Sequence, residues 1–172
     1  VGKSKIAVSL AIGLSKAGAK CGILDADIYG PSLVNMLGLQ KIPARAEGNT
    51  IIPFETHGLK AMTIGKLVDP DQAVIWRGPK ATGAFKQMLL QTDWGELDYL
   101  IIDLPPGTGD VPLTMAQTIP LSGSVMVCTP QRVAQEDTRR AIRMFQQLNV
   151  EVLGLVENMS VYIDDEGKEH DL

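Results

Sequence analysis

Val1-Gly2-Lys3-Ser4, running into Lys5-Ile6-Ala7-Val8-Ser9-Leu10, decides how the rest of the chain is read. The four residues match the close of a phosphate-binding loop, G-x-x-x-x-G-K-[ST], whose opening glycine would precede residue 1. In such a loop backbone N–H groups cradle phosphate at a helix N-terminus, the lysine reaches the terminal phosphates and the hydroxyl holds Mg²⁺. A Gly-Lys-Ser triplet also occurs at ordinary helix starts. The setting favours the phosphate loop: Ile6, Leu10, Ala11 and Leu14 predict one apolar helical face directly after it, with Gly18 suited to a left-handed stop.

Working outward, helical and strand patterns alternate, as in a parallel sheet covered by helices. Lys20 to Leu24 predicts a short strand that delivers Asp25 and Asp27 at its carboxyl end, and Pro31 stands where a second helix would begin, running to about Leu37-Gly38. Residues 40–58 are irregular, with a hairpin expected around Thr50-Ile51-Ile52. Strands are expected over Leu59 to Ile64 and Ala73 to Trp76, and helices over Ala81 to Trp94 and Val133 to Leu148, the latter with Ile142, Phe145 and Leu148 inward. Three continuous apolar runs, Tyr99 to Ile102, Ser124 to Cys128 and Val152 to Val156, predict strands buried on both faces.

The 172 residues fit one ordinary domain, with 45% apolar and 21% charged side chains in a globular balance. A net charge of −4 argues against a dominant nucleic-acid footprint, and no apolar stretch approaches the length of a membrane span. Cys21 and Cys128 sit inside apolar runs and read as buried strand thiols in a reducing compartment, not as a disulfide, zinc or cluster framework. The incomplete loop at Val1 and an ending without a helix stop or cap predict a domain, 1–172, clipped inside the phosphate loop and at the C-terminus as well.

Two further segments place polar residues after apolar strands, where open α/β sheets bind ligands. Leu24-Asp25-Ala26-Asp27-Ile28-Tyr29-Gly30-Pro31 offers two carboxylates able to position water and tune Mg²⁺; alternatively, Asp27 begins a turn and Asp25 caps a helix. Tyr99-Leu100-Ile101-Ile102-Asp103 followed by Leu104-Pro105-Pro106-Gly107-Thr108-Gly109-Asp110 reads as the second half of a phosphate site, with Asp103 orienting Mg²⁺ and a stiff, then permissive, loop reporting the γ-phosphate. His57 reads as a loop histidine, Trp76 and Trp94 as packing residues, and Arg77 as a phosphate, partner or ion-pair contact.

These segments, together with Trp-Arg-Gly-Pro at 76–79, Asp-Trp-Gly-Glu-Leu-Asp at 93–98, Thr-Pro-Gln at 129–131 and Glu-Asn-Met-Ser at 157–160, closely resemble the Mrp/ApbC branch of MinD-like P-loop ATPases, which are iron–sulfur cluster carriers or scaffolds. The match spans essentially the whole chain in family order. The resemblance implies that Gly2 and Lys3 bind the phosphates of ATP, with Lys3 on the β/γ-phosphates, and that Ser4 ligates Mg²⁺. It implies that Asp27 orients the attacking water, that Asp25 and Asp103 lie near the metal, and that Asn158 and Pro130 lie by the adenine. It also implies a homodimer with nucleotide between the subunits, and apo iron–sulfur proteins as partners.

The chain departs from the family pattern twice. Lys5 stands where the family usually has a Ser or Thr that bonds the α-phosphate, so Lys5 either adds a phosphate contact or crowds the loop, and slower or weaker turnover is expected. Many members also continue Asn-Met-Ser with a C-x-x-C pair for a bridging 4Fe–4S cluster; counted from Asn158, those positions are Asp164 and Gly167, so the chain shows no cluster ligand there. Asp164, Asp165, Glu166 and His170 read as a solvated acidic turn or, alternatively, as ligands for a hard metal.

The expectation is thus an α/β fold with a doubly wound, mostly parallel sheet and helices on both faces, binding Mg·ATP and hydrolysing it by positioning and electrostatics. As a carrier it would be cytoplasmic, with a mitochondrial setting left open, and would bind neither nucleic acid nor membrane. Two other readings remain. A MinD/ParA-like positioning or partition ATPase would need a basic amphipathic helix or lysine patch, and neither is visible in the sequence. A degenerate nucleotide-binding scaffold is favoured by Lys5 and the missing cysteines.

Overall fold

The computed structural model describes residues 1–27, 30–67, 79–107 and 110–171. The strand expected at Ala73–Trp76, Arg77, the dipeptide Ile28-Tyr29 of the first carboxylate loop and Thr108-Gly109 of the second lie outside the described residues. The elements are α1 (Lys3–Lys16), β1 (Cys21–Asp25), α2 (Leu33–Met36), β2 (Arg45–Glu47), β3 (Thr50–Ile52), β4 (Phe54–Thr56), β5 (Leu59–Thr63), a 3-10 turn (Ile64–Lys66), α3 (Pro79–Gln91), β6 (Tyr99–Asp103), α4 (Asp110–Thr118), β7 (Ser124–Cys128), α5 (Arg132–Gln147), β8 (Val152–Glu157), β9 (Val161–Ile163) and β10 (Glu169–Asp171). They fall into two compact units, one of Lys3–Pro106 with Asp110–Met115, the other of Val1–Gly2, Gly107–Gly109 and Ala116–Leu172.

The first unit is built on a four-stranded sheet in the order β4-β5-β1-β6. β5 and β6 both run parallel to β1, and β4 closes one edge antiparallel to β5. From β1 the chain goes first to β5 on one side and later to β6 on the other. That is the doubly wound α/β pattern, and it makes the carboxyl end of β1 the switch point where such sheets take ligands. Beneath it, Ile23, Leu24, Met62, Phe85 and Met88 are all but fully buried, each contributing about 1.5–3 kcal/mol of burial free energy. Gly22 is required within β1 because a Cβ there would press on the side chains of Leu97, Leu100 and Trp94.

α1 ends as expected. Gly18 takes φ +99°, with Gly18 N–H bonded to Ser15 O and Ala19 N–H to Leu14 O, so two orphan carbonyls of the last turn are filled. The inward face differs from expectation: Val8 and Ala11 are buried, whereas Leu10 is 39% exposed. The helix is apolar almost all round, so spacing alone did not single out the face that meets the sheet. His57 and Gly58 form the two-residue turn between β4 and β5, both at positive φ (51° and 74°), as a primed hairpin turn demands. The hairpin expected near Thr50 is β2–β3, with Arg45 opposite Ile52.

α2 is a single turn, shorter than predicted, and α3 stops at Gln91, three residues before Trp94. Thr92 Oγ1 donates to Met88 O, and Trp94 Nε1 donates to Leu89 O at 3.0 Å, so the two side chains fill the carbonyls that end the helix.

In the second unit β7 pairs parallel with β8, α5 follows β7, and β9–β10 form an antiparallel hairpin. Phe145 of α5 is buried, with Ile142 and Leu148 partly so. Asn149 at φ 55° ends the helix in the same manner as Gly18, with Val150 N–H bonded to Phe145 O. The expectation that all three apolar runs are buried on both faces is corrected. Tyr99 on β6, Val125 on β7, and Leu153 and Leu155 on β8 are exposed, and only Asp103 of β6 is buried. Each of these strands has a single hydrogen-bonded neighbour among the described residues, and an edge position leaves side chains open that the composition of the run would have covered. No helix among the described residues is long and apolar enough to cross a membrane.

Candidate functional site

Three polar residues line up across the carboxyl ends of the parallel strands. Asp25 closes β1, and its register partners are Thr63 on β5 and Asp103 on β6. All three are buried, Asp25 and Thr63 completely. Polar groups at such depth need partners, and those of Asp25 come from the protein itself. Its Oδ1 accepts from Asp27 N–H at 3.1 Å; its Oδ2 accepts from Leu33 N–H at 3.2 Å and from Thr63 Oγ1 at 3.2 Å. Asp25 therefore caps the first turn of α2 from a distance, while Asp27 Oδ1 accepts from Gly30 N–H at 3.1 Å and so shapes the turn after it. The cap and the turn are the alternative roles that turn chemistry suggested for these two residues.

Asp103 is differently placed. It hydrogen-bonds Ser4 and lies near Lys3 and Asp27, yet among the described residues its Oδ2 is buried with no partner. Burial raises its pKa, against the lowering effects of the Ser4 bond and the Lys3 charge. Burial likewise lowers the pKa of Lys3, while the charges of Asp103 and Asp27 act to keep it protonated. Asp25 is pushed up to about 6, chiefly by desolvation. Lys3, Ser4, Asp27 and Asp103, separated by up to a hundred residues in sequence, thus form one cluster at the switch point. Lys5, next in α1, is exposed to solvent.

An orphaned buried carboxylate oxygen beside a serine hydroxyl is an all-oxygen donor set, which suits Mg²⁺. Among the described residues no group of three or more His, Cys, Asp or Glu is arranged to hold a metal ion. Ser4 and Asp103 would supply two oxygens to such a cation and leave its other positions to water and phosphate oxygens.

In the second unit, Asn158 Nδ2 donates to Val1 O at 3.1 Å, and Asn158 N–H donates to Cys128 O at 2.7 Å. The amide side chain lies where a Cβ on Gly2 would stand, and Gly2 itself has φ +84°. Both facts require glycine at that position. Asn158 thus braces the backbone just before Lys3. Pro130 is partly buried, and its carbonyl accepts from Gln135 Nε2 at 2.8 Å at the start of α5.

Asp164 and Gly167, the positions counted from Asn158, form the tip of the β9–β10 hairpin. Asp164 Oδ1 accepts from Glu166 N–H and Lys168 N–H, and Oδ2 meets His170 Nε2 at 2.7 Å. The His170 bond is the largest influence holding Asp164 below the ordinary aspartate range. Gly167 sits at φ +80°, a conformation that a side chain would strain. Cys21 and Cys128 are both buried free thiols.

Sequence reasoning passed over Thr63. Its only signal is a hydroxyl near the end of the strand pattern Leu59-Lys60-Ala61-Met62, the same place in β5 that the two aspartates hold in β1 and β6.

A family model described as ParA, an NUBPL iron-transfer P-loop NTPase, matches residues 1–172. The iron-sulfur cluster carrier protein of Escherichia coli K12 is 54% identical over 164 residues, covering 95% of this chain and 44% of that protein. The iron-sulfur cluster transfer protein NUBPL of Dictyostelium discoideum is 49% identical over 164 residues, covering 94% and 51%. This chain spans about half the length of the curated relatives it matches. Among solved structures, a nucleotide-binding protein from Archaeoglobus fulgidus in complex with ADP is 39% identical with a TM-score of 0.82, covering 99% of this chain and 67% of that one. The septum site-determining protein MinD of Pyrococcus horikoshii, solved with Mg-ADP, shares the fold at 17% identity and a TM-score of 0.67, covering 91% and 65%.

Proposed function

This chain belongs to the NUBPL iron-transfer family of P-loop NTPases, and we propose that it is the Mg·ATP-binding and ATP-hydrolysing module of an iron–sulfur cluster carrier. The observation that carries the reading is the convergence of Lys3, Ser4 and Asp103 around a buried carboxylate oxygen with no partner among the described residues. A structural ion pair would have filled that oxygen.

Phosphoryl transfer asks for positioning and charge stabilisation more than for covalent chemistry. Lys3 supplies a partly desolvated ammonium that reaches the terminal phosphates. Ser4 and Asp103 are the residues that would hold Mg²⁺, and the bound ion would neutralise charge developing on the phosphate oxygens. Asp27, fixed by Gly30 at its side chain and by Asp25 at its N–H, orients the attacking water. Gly2, kept bare for Asn158, lets the loop backbone come close to phosphate, and Asn158 and Pro130 are the residues assigned to the adenine base. The hydrolytic state would then reset the loops at 25–32 and 104–110 and gate a second copy of the chain and the apoprotein that receives the cluster. The cluster is cargo, and its ligands are assigned away from Cys21 and Cys128, whose thiols are buried.

Asp103→Asn tests this directly. The variant should fold with an unchanged or higher melting temperature, because a buried and incompletely paired charge is gone. Its Mg-dependent ATP turnover should fall about a hundredfold or more. Turnover equal to wild type in a folded Asp103→Asn protein rules the site out. Mg·ATP binding without turnover in the wild type points instead to a nucleotide-gated scaffold.

A further inference from the structure

We propose that Thr63 is a positioning residue for the Asp25–Asp27 loop, its hydroxyl acting through Asp25 to set the carboxylate that orients the attacking water. The catalytic consequence rests on the ATPase reading above, whereas the brace itself rests on geometry alone.

Thr63 is the last residue of β5, is fully buried and stands beside Asp25 in the register. Its hydroxyl makes two bonds. Gly65 N–H, 3.3 Å away, can only donate, so the single hydroxyl proton is left to point at Asp25 Oδ2. The bond therefore has a fixed direction.

Among the described residues Asp25 takes three donors, and they differ in kind. Asp27 N–H and Leu33 N–H belong to the loop that Asp25 has to hold. Only Thr63 comes from a neighbouring strand. Without it, the carboxylate would be oriented by the loop and the loop by the carboxylate, with the backbone ladder of β1 and β5 left as the support beneath them and no side-chain hydrogen bond from β5 among the described residues. The 3-10 turn that Thr63 caps also packs on the loop, since a Cβ on Gly65 would lie 3.0 Å from the Pro31 ring and 3.1 Å from Val34. Thr63 thus links the sheet to both ends of the segment that carries Asp27. A side chain that acts in this way changes turnover by misplacing a group it does not touch.

The test uses Thr63→Val, which keeps the volume and removes the hydroxyl, beside Thr63→Ser, which keeps the hydroxyl. Should Thr63→Val not fold, Thr63→Ala carries the same expectation. Amide hydrogen exchange in the nucleotide-free protein reads the brace, with amides of α3 and β6 as references for global stability. Thr63→Val should speed exchange at Asp27 and Leu33 about tenfold, equivalent to one lost hydrogen bond, and leave the references unchanged. Its kcat should fall about tenfold with KM for Mg·ATP within about twofold of wild type. Thr63→Ser should resemble wild type in both. Unchanged exchange at Asp27 and Leu33 overturns the brace, as does a Thr63→Ser protein as impaired as Thr63→Val. Faster exchange with unaltered kcat overturns the positioning role. A wild type that binds Mg·ATP without turnover defeats the ATPase reading instead, and the exchange data then decide the brace on their own.

Discussion

Asp25 and Asp103 are direct register partners on adjacent parallel strands, both buried, and among the described residues only Asp25 has partners for both oxygens. Two carboxylates at this depth repel each other, and burial raises the pKa of each. The protein answers the charge of Asp25 with three hydrogen-bond donors. It leaves Asp103 incompletely answered, next to Lys3 and Ser4.

One consequence is a pH dependence of known sign. An aspartate raised from 3.8 to about 6 on folding binds its proton more tightly in the native state, so the stability it contributes is full below pH 4 and is lost as pH rises to about 6. The cost at neutral pH is roughly 3 kcal/mol as an upper figure. The melting temperature of the nucleotide-free wild type should therefore fall relative to Asp25→Asn as pH is raised from 4 to 7. Parallel curves for the two proteins would show that Asp25 titrates normally.

The contact between Gly2 and Asn158 makes a second prediction. Gly2→Ala forces a side chain into φ +84° and onto the Asn158 amide, and the backbone term alone is worth about 1–2 kcal/mol. ADP affinity, read by calorimetry, should drop about tenfold or more in Gly2→Ala. Measured against Asn158→Ala as the reference, Gly2→Ala should cost only the backbone part. No cost in that background would mean that the positive φ is free.

Lys5 is exposed one residue beyond Ser4, at a position where the family resemblance expects a hydroxyl. Restoring it with Lys5→Thr should tighten ATP binding and raise turnover, together by about 1.5 kcal/mol equivalent or roughly tenfold, the lower end of the worth of one hydrogen bond to a charged phosphate oxygen. The comparison is steady-state hydrolysis by the two proteins at equal Mg²⁺. Identical kinetics would remove Lys5 from the site.

The strands that carry the site were readable because each is a short apolar run ending in a polar residue, and Gly18 was readable because a helix stop needs φ > 0. Leu10 and the run Val152 to Val156 depart from the expected burial for a common reason. Apolar spacing reports which residues can be buried, while coverage by a neighbouring element decides which ones are, and Leu10, Leu153 and Leu155 are exposed. The roles of Asp25 and Asp27 stayed open between metal shell and turn, because either fits two carboxylates after a strand.

By itself the sequence determined the chemistry on offer: a lysine and a serine at a helix start, an aspartate after four apolar residues, a glycine before the lysine. Tertiary structure alone decided how those groups are shared out, because a hydrogen bond such as Thr63 to Asp25 spans 38 residues and leaves no local trace. Strand periodicity says which face a side chain takes. Only the strand order, β5-β1-β6, says whose side chain stands next to it.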